Sequence, residues 1–221
     1  MDIRRFLSTT SPFNVLPPAE LDRLALTAHR STVSKGDRVY NEGDRAQFTF
    51  LVLGGRVQIT RLARDGRPLT VELLKSGELF GCVGCSAAGQ YPCEALAGQT
   101  TEIIGFPMAI IVALIDRYPA FSRALYWDMS RRMRESQNMR ALGAESVERR
   151  VAGVLLWLES KFGPDLPFTR QAIAELASTT PESAIRTLIQ FRRRGFIKTG
   201  WKKIVLQRTD ALKELVEGVA A

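Results

Sequence analysis

Three sets of residues in this sequence have the types and spacing to do chemistry. The first is Glu182 with Arg186, four apart and therefore neighbours on any helix that carries them. An arginine fork can donate to guanine O6 and N7, and a glutamate can accept from cytosine N4, so the pair could read base edges. From Arg186 to Arg208 the chain carries eight basic residues and no acidic one, a charge that suits phosphate contact. The second set is Cys82-x-x-Cys85 followed by Cys93, which are all three of the cysteines. They could hold a metal or an iron–sulfur cluster, form a redox-switchable disulfide, or simply fill a core as small apolar side chains. The third is His29, the single histidine, a common metal-ligand type with no partner nearby. Each has a plainer alternative: a solvated helix ion pair, core packing, and a surface histidine at a helix end.

The first set is the best positioned. Thr169 caps a short predicted helix whose apolar residues Ile173, Leu176 and Ala177 recur at helical spacing. Ser178 and Thr179 break the pattern. Thr180-Pro181-Glu182 then opens a second helix, with Thr180 as N-cap and Pro181 at the first helical position. Ile185, Leu188 and Ile189 should turn inward, leaving Glu182, Ser183, Arg186, Gln190 and Arg193 on other faces. Arg192-Arg193-Arg194-Gly195 closes the helix, and a two-stranded hairpin about Gly200 follows. Helix, turn, helix and hairpin in this order is the layout of a DNA-reading helix-turn-helix, which sets the start of its second helix in the major groove.

Upstream, residues 12–30 read as helical, started by Pro17-Pro18, with Leu21, Leu24, Leu26 and Ala28 buried and His29 closing it. From Val33 to about Phe106 the texture changes to short strands, such as FTFLVL, RVQITRL and LTVELL, between glycine turns. Regular punctuation of this kind predicts a small sandwich or jelly roll. Residues 109–142 become helical, with Phe121, Leu125, Met129 and Met133 in a ladder of fours that Ser136, Met139 and Leu142 extend. One long apolar seam with no second helix in sequence to cover it invites a partner copy. Gly143 to Ser146 form a hinge candidate, and Val147 to Phe162 form another amphipathic helix, ended by Gly163-Pro164. A short helix over 209–221 ends the chain.

At 221 residues the chain is comfortable for two domains, and 45% hydrophobic residues suffice for real cores. The net charge of +8 favours an anionic partner. It is concentrated: from Ser146 onward there are 13 basic and 8 acidic residues, against 18 and 15 before it. No apolar run is long enough for a signal peptide or a membrane span, and three cysteines do not suggest a disulfide framework. The expected location is the cytoplasm, with no membrane partner. One histidine offers no Ser-His-Asp set, and neither a phosphate-cradling glycine loop nor an HExxH occurs, so catalysis is not expected.

The residues Thr169-Arg170-Gln171, Pro181-Glu182-Ser183, Arg186, Gly195-Phe196-Ile197 and the Gly200 hairpin resemble the winged helix-turn-helix of Crp/Fnr-type bacterial regulators. The order Gly36-Asp37, Glu42-Gly43, Gly54-Gly55 and Gly77-Glu78-Leu79-Phe80-Gly81 is similar to the cyclic-nucleotide-binding-type β-roll of the same family. The resemblance implies an α+β protein in three parts. These are a β-roll (jelly-roll) sensor domain over 1–117, a central dimerisation helix and hinge over 118–145, and a winged helix-turn-helix domain over 146–221. It implies a homodimer on a palindromic double-stranded DNA operator, with RNA polymerase as a further partner. Thr169, Arg170, Gln171, Lys202 and Lys203 would hold phosphates, and Thr180, Pro181, Glu182, Ser183 and Arg186 would face the major groove. The effector pocket or redox site would involve Gly81, Cys82, Cys85, Cys93, Met133, Ser136 and Gln137. Cyclic-AMP-binding members carry a glutamate and an Arg-Ser pair where this chain has Cys82, Pro92 and Cys93, so cyclic AMP is not the expected effector. Haem and an iron–sulfur cluster stay open as cofactors, as does none, with Cys82, Cys85, Cys93 and His29 as metal-ligand candidates. The alternative function is a ligand-binding module that acts through protein contacts.

Overall fold

The structure is a computed structural model that describes residues 2–62, 68–81 and 89–218. The chain divides into two compact units, Met1–Met133 and Arg134–Ala221. In the first, eight strands among the described residues form two antiparallel sheets. The strands are β1 (His29–Val33), β2 (Arg38–Tyr40), β3 (Phe48–Gly54), β4 (Arg56–Leu62), β5 (Pro68–Lys75), β6 (Leu79–Phe80), β7 (Glu94–Ala97) and β8 (Thr101–Pro107). One sheet runs β1-β8-β3-β6 and the other β2-β7-β4-β5. Successive side chains of a strand face opposite ways. In β3, Leu51 and Leu53 therefore join one core while Val52 joins another. In β8, Ile104 and Phe106 divide from Ile103 in the same way. One core lies between the sheets, and the other is closed by α1 (Ile3–Ser8), α2 (Pro18–Thr27), α3 (Met108–Arg117) and the start of α4 (Pro119–Ala141). Burial on both faces explains why β3 reads as a continuous apolar run.

Gly55 makes the β3–β4 turn possible. Its φ is +88°, and a Cβ there would meet Thr100 O and Thr101 Cα at 2.8 Å. Only glycine fits both demands.

The helix expected over 12–30 is shorter than its pattern suggested. Phe13–Val15 form a 3-10 turn, α2 ends at Thr27, and His29 opens β1 instead of closing a helix. Leu26, expected inside, is 87% exposed. At about 100° per residue it lies across the helix from Leu24, which with Leu21 carries the buried stripe. The helical stretch 109–142 is two helices, broken at Tyr118. That residue precedes Pro119 and takes an extended conformation at φ −121° and ψ 94°. Along α4, Phe121 and Leu125 are buried, whereas Met129 and Met133 of the same ladder are 45% and 59% exposed.

The second unit is built on α5 (Val147–Phe162), which has the predicted bounds. Ser146 caps it by accepting from the Arg149 N–H, and Val151, Val154, Leu155 and Leu158 are fully buried. It packs against α6 (Arg170–Leu176), α7 (Pro181–Arg193) and α8 (Thr209–Glu217). A three-stranded sheet, in the order β10 (Ile197–Gly200), β11 (Lys203–Leu206), β9 (Asp165–Leu166), completes it. The last turns of α4 belong here too. Lys161, almost wholly buried, lies 3.6 Å from Glu135, and the Trp157 indole N–H donates to the same carboxylate at 3.5 Å. Leu142 covers Gly153 closely, since a Cβ at Gly153 would come within 2.4 Å of it.

Candidate nucleic-acid interface

Two hydroxyl caps set the geometry of the helix pair. Thr169 Oγ1 accepts from the Ala172 N–H at 3.1 Å and starts α6. The chain then turns through Ser178, whose left-handed φ of 48° ends the helix. Thr180 Oγ1 accepts from the Ser183 N–H at 3.3 Å and donates to the Ser183 hydroxyl at 3.2 Å, with Pro181 as first residue of α7. The buried face of α7 is Ala184, Thr187, Leu188 and Phe191. Ile185 and Ile189, expected inside with Leu188, are only half-buried. Glu182 and Arg186 are exposed on the first two turns, with Glu182 favoured there by the helix dipole. Among the described residues no carboxylate holds Arg186, so its fork is free to meet a base edge.

A second cluster gathers at the other end of α7. Thr169, Arg170, Arg192, Thr199, Gly200, Trp201, Lys202 and Lys203 line an open groove of about 590 Å³ between the start of α6 and the hairpin. Four of the five residues expected at phosphates meet there. The fifth, Gln171, is exposed, and its amide donates to Glu175 along α6 at 2.9 Å. Lys203 pairs with Asp165 at 3.0 Å, and the Lys202 ammonium sits 4.2 Å from the Trp201 ring centre. Glu182, Ser183 and Arg186 do not line this groove; Arg186 and Arg192 are separated by about 9 Å of helix at 1.5 Å per residue. Sequence reasoning missed Arg192 and Trp201. Arg192 stood in a run of three arginines that the sequence alone did not divide. Its neighbour Arg194 is used structurally, paired with Glu148 at 2.9 Å and stacked 4.4 Å from the Phe196 ring centre. An aromatic residue between Gly200 and Lys202 at a hairpin tip was the available signal for Trp201.

The corner expected to hold an effector belongs to the first unit. Gly81 takes φ +80°, and a Cβ there would lie 3.2 Å from Phe48 O. Cys82 and Cys85 fall outside the described residues. Tyr91 stacks on Tyr40 with ring centres 3.7 Å apart and donates its hydroxyl to Phe48 O at 2.6 Å. Pro92 is exposed, and half-buried Cys93 packs against the inter-sheet core. Burial pushes the Cys93 thiol up; Arg61 opposes this, and Glu42 and Glu72 add to it. Three nearby arginines are matched by carboxylates. Arg61 pairs with Glu42 at 3.5 Å and Arg38 with Glu94 at 2.8 Å, while Arg132 grips Glu72 and donates to Leu79 O. The hydrogen bond from Arg38 holds the Glu94 carboxyl below the usual range, assisted by Thr60. Met133 and Gln137 are exposed on α4 and Ser136 is half-buried. His29 is exposed, edge-on to Phe48 with ring centres 6.0 Å apart. Among the described residues, no three His, Cys, Asp or Glu side chains converge to hold a metal ion. No helix of the described residues is long and apolar enough to cross a membrane.

A β-roll, a long helix and a capped helix-turn-helix with a basic wing define a class, the helix-turn-helix DNA-binding regulators. Comparison with known proteins makes this particular. Residues 30–118 match the cyclic nucleotide-binding domain family and residues 149–215 the Crp-like helix-turn-helix domain. The chain is 30% identical over 210 residues to the cyclic AMP receptor protein of Thermus thermophilus, covering 94% of this chain and 97% of that one. It is 26% identical over 195 residues to the global nitrogen regulator of Synechocystis, covering 83% and 86%. The structure of FixK2 from Bradyrhizobium japonicum superposes with a TM-score of 0.77 at 22% identity, over 85% of this chain and 96% of that one. The chain belongs to the Crp/Fnr family of transcription regulators, a family of DNA-binding proteins and not of enzymes.

Proposed function

We propose that the protein regulates transcription as a homodimer on a palindromic operator, under the control of an effector or redox signal other than cyclic AMP. The observation that carries the DNA part is the meeting of Thr169, Arg170, Arg192, Lys202 and Lys203 in one groove beside a helix whose first turns expose Glu182 and Arg186. The groove suits phosphates and the helix start suits base edges, which is the division of labour that sequence-specific binding needs. Arg186 and Glu182 would read a G·C pair in each half-site, and two-fold symmetry would set the half-sites about 34 Å apart.

The exposed half of the α4 ladder, Met129 and Met133, together with exposed Tyr126 and Trp127, favours a second copy along that helix. The effector reading rests on charge. Pro92 and Cys93 stand where a phosphate-binding arginine and serine would serve a cyclic nucleotide, and Arg38, Arg61 and Arg132 are committed to carboxylates. Cys93 alone is a poor thiol switch, because burial disfavours its thiolate. A redox signal would therefore act through Cys82 and Cys85, and an organic effector would use the β-roll against α4, around Gly81 and Met133.

The test is a titration of the full-length protein with DNA from upstream of its own gene and with a scrambled duplex, across a salt series. We expect dimer-stoichiometric binding whose log affinity falls linearly with log salt, and tighter binding to the promoter DNA. Salt-independent or absent DNA binding would favour a module that acts through protein contacts instead. Cyclic AMP should leave the promoter affinity unchanged.

A further inference from the structure

The hairpin tip carries features that base reading by α7 does not explain. Trp201 and Lys202 alone join β10 to β11, flanked by the Gly200–Lys203 pair. Lys202 is left-handed at φ 52°, a conformation that strains any residue with a Cβ. Trp201 is 87% exposed, although an indole is among the largest apolar side chains. Glycine would suit the turn and a polar residue would suit the tip. Both choices work against the hairpin as an isolated element, and departures of this kind concentrate where a partner is met. Beneath the tip, Ile197, Ile204 and Leu206 are buried and β11 is the central strand of its sheet, so Trp201 projects from a rigid base.

The surroundings specify the partner's chemistry. Arg170, Arg192, Lys202 and Lys203 line the groove; among the described residues no carboxylate lines it, and only Lys203 is offset, by Asp165. The partner must be anionic, with an apolar surface directly beside its charge. Duplex DNA has both, in its phosphates and in the deoxyribose walls behind them. With Arg186 at base edges in the major groove, the groove end of α7 lies about 9 Å further along the helix, toward the bounding backbone. Beyond that backbone opens the minor groove, roughly 6 Å wide, which admits the edge of a flat ring. We propose that Trp201 packs against the sugar wall of the minor groove flanking each half-site, while Arg170, Arg192 and Lys202 neutralise the phosphates on its rim. The inference rests on the DNA-binding reading above and adds a contact to it.

The test uses the full-length protein and a short fluorescein-labelled A·T-rich duplex at low salt, where association is sequence-independent and needs no effector. Trp201→Ala should weaken binding about ten-fold, in the range of an aromatic contact to nucleic acid, while keeping the wild-type salt slope. Trp201→Phe should keep most of the affinity. Lys202→Ala should lower the salt slope by about one per protomer. Saturating the duplex with netropsin, which fills the minor groove, should bring the wild-type to Trp201→Ala affinity ratio to about one. Intact DNA binding with no loss in Trp201→Ala would overturn this inference alone. A ratio that survives netropsin would also overturn it, placing the ring on the backbone. If wild-type protein shows no salt-dependent DNA binding, the reading beneath the inference fails instead.

Discussion

The wing groove and the corner around Cys93 both collect cations, but they use them differently. In the corner three arginines each have an acid: Arg38 with Glu94, Arg61 with Glu42, Arg132 with Glu72. In the segment from Arg186 to Arg208 there is no internal acid. Three of its cations find carboxylates on or beyond its edges, Arg194 at Glu148, Lys203 at Asp165 and Arg208 at Asp210. Among the described residues, Arg186, Arg192, Arg193, Lys198 and Lys202 are held by no carboxylate. Paired cations fix a fold and are already neutralised, whereas unpaired ones create the field that draws a polyanion. The number of arginines in a region therefore says little about ligand charge until the pairing is known.

The contrast can be broken most violently through the fold of one unit. Gly55→Ala puts a Cβ against the Thr100–Thr101 backbone at a positive φ. Strain and overpacking together should destabilise the β-roll by about 2–4 kcal/mol. Urea unfolding followed by far-ultraviolet circular dichroism should show a lower midpoint for the β-roll transition. The winged unit, whose core does not include this turn, should still bind generic duplex at low salt. An unchanged midpoint would mean that the turn does not confine Gly55 as described.

Within the DNA-binding unit, the contrast to sharpen is between base reading and phosphate holding. Arg186→Ala should cost about 1–3 kcal/mol on the specific operator and flatten discrimination at one G·C pair. Lys202→Ala should weaken all sequences alike. Fluorescence anisotropy against a panel of single-base-pair variants separates the two, and equal sequence-blind losses from both would sink the assigned role of Arg186.

Legibility followed how local the physics was. The N-caps at Thr169 and Thr180 need only a hydroxyl and the next turn of backbone, and both accept from the N–H three residues on. α5 announced itself through four apolar residues at helical spacing and a glycine stop. By contrast, β1 (HRSTV) has no apolar alternation and exists because β8 offers it an edge. Leu26 misled because a leucine two positions from Leu24 looks like part of a stripe until the helix phase is counted. The site split the same way. The caps and Arg186 lie in one continuous segment, whereas the pairing of Arg38, Arg61 and Arg132 depends on strands and a helix brought together only by folding.

Cys93 tests whether the corner is as unreactive as its burial suggests. In a Cys82→Ser, Cys85→Ser background, burial holds the remaining thiol above its ordinary value, so the thiolate is scarcer at neutral pH than in a free cysteine. Alkylation by iodoacetamide at pH 7 should be slower than for a small-molecule thiol, and the rate should still be climbing above pH 9. The same shift makes the unfolded chain release this proton first, so Cys93→Ser should also soften any stability loss at alkaline pH. Fast alkylation that levels off below pH 8 would instead mark Cys93 as an activated thiol and reopen it as a switch.

The smallest expected effect probes the acid half of the corner. Arg38, by hydrogen bonding, holds Glu94 below the ordinary glutamate range. A carboxyl with a depressed folded-state value stabilises the fold above its unfolded value, near 4.3, and loses that contribution as pH falls through the lower folded value. Arg38 is well exposed, so the pair is worth no more than about 1 kcal/mol and is screened by salt. Thermal melts of wild type and Glu94→Gln between pH 7 and pH 3 should therefore differ most at neutral pH, where wild type is the more stable. The two curves should converge below pH 4, and the gap should narrow in high salt. A constant gap across that range would assign the difference to the hydrogen bond from Thr60 and not to charge, and the matching of arginines with acids in this corner would then be geometric without being electrostatic.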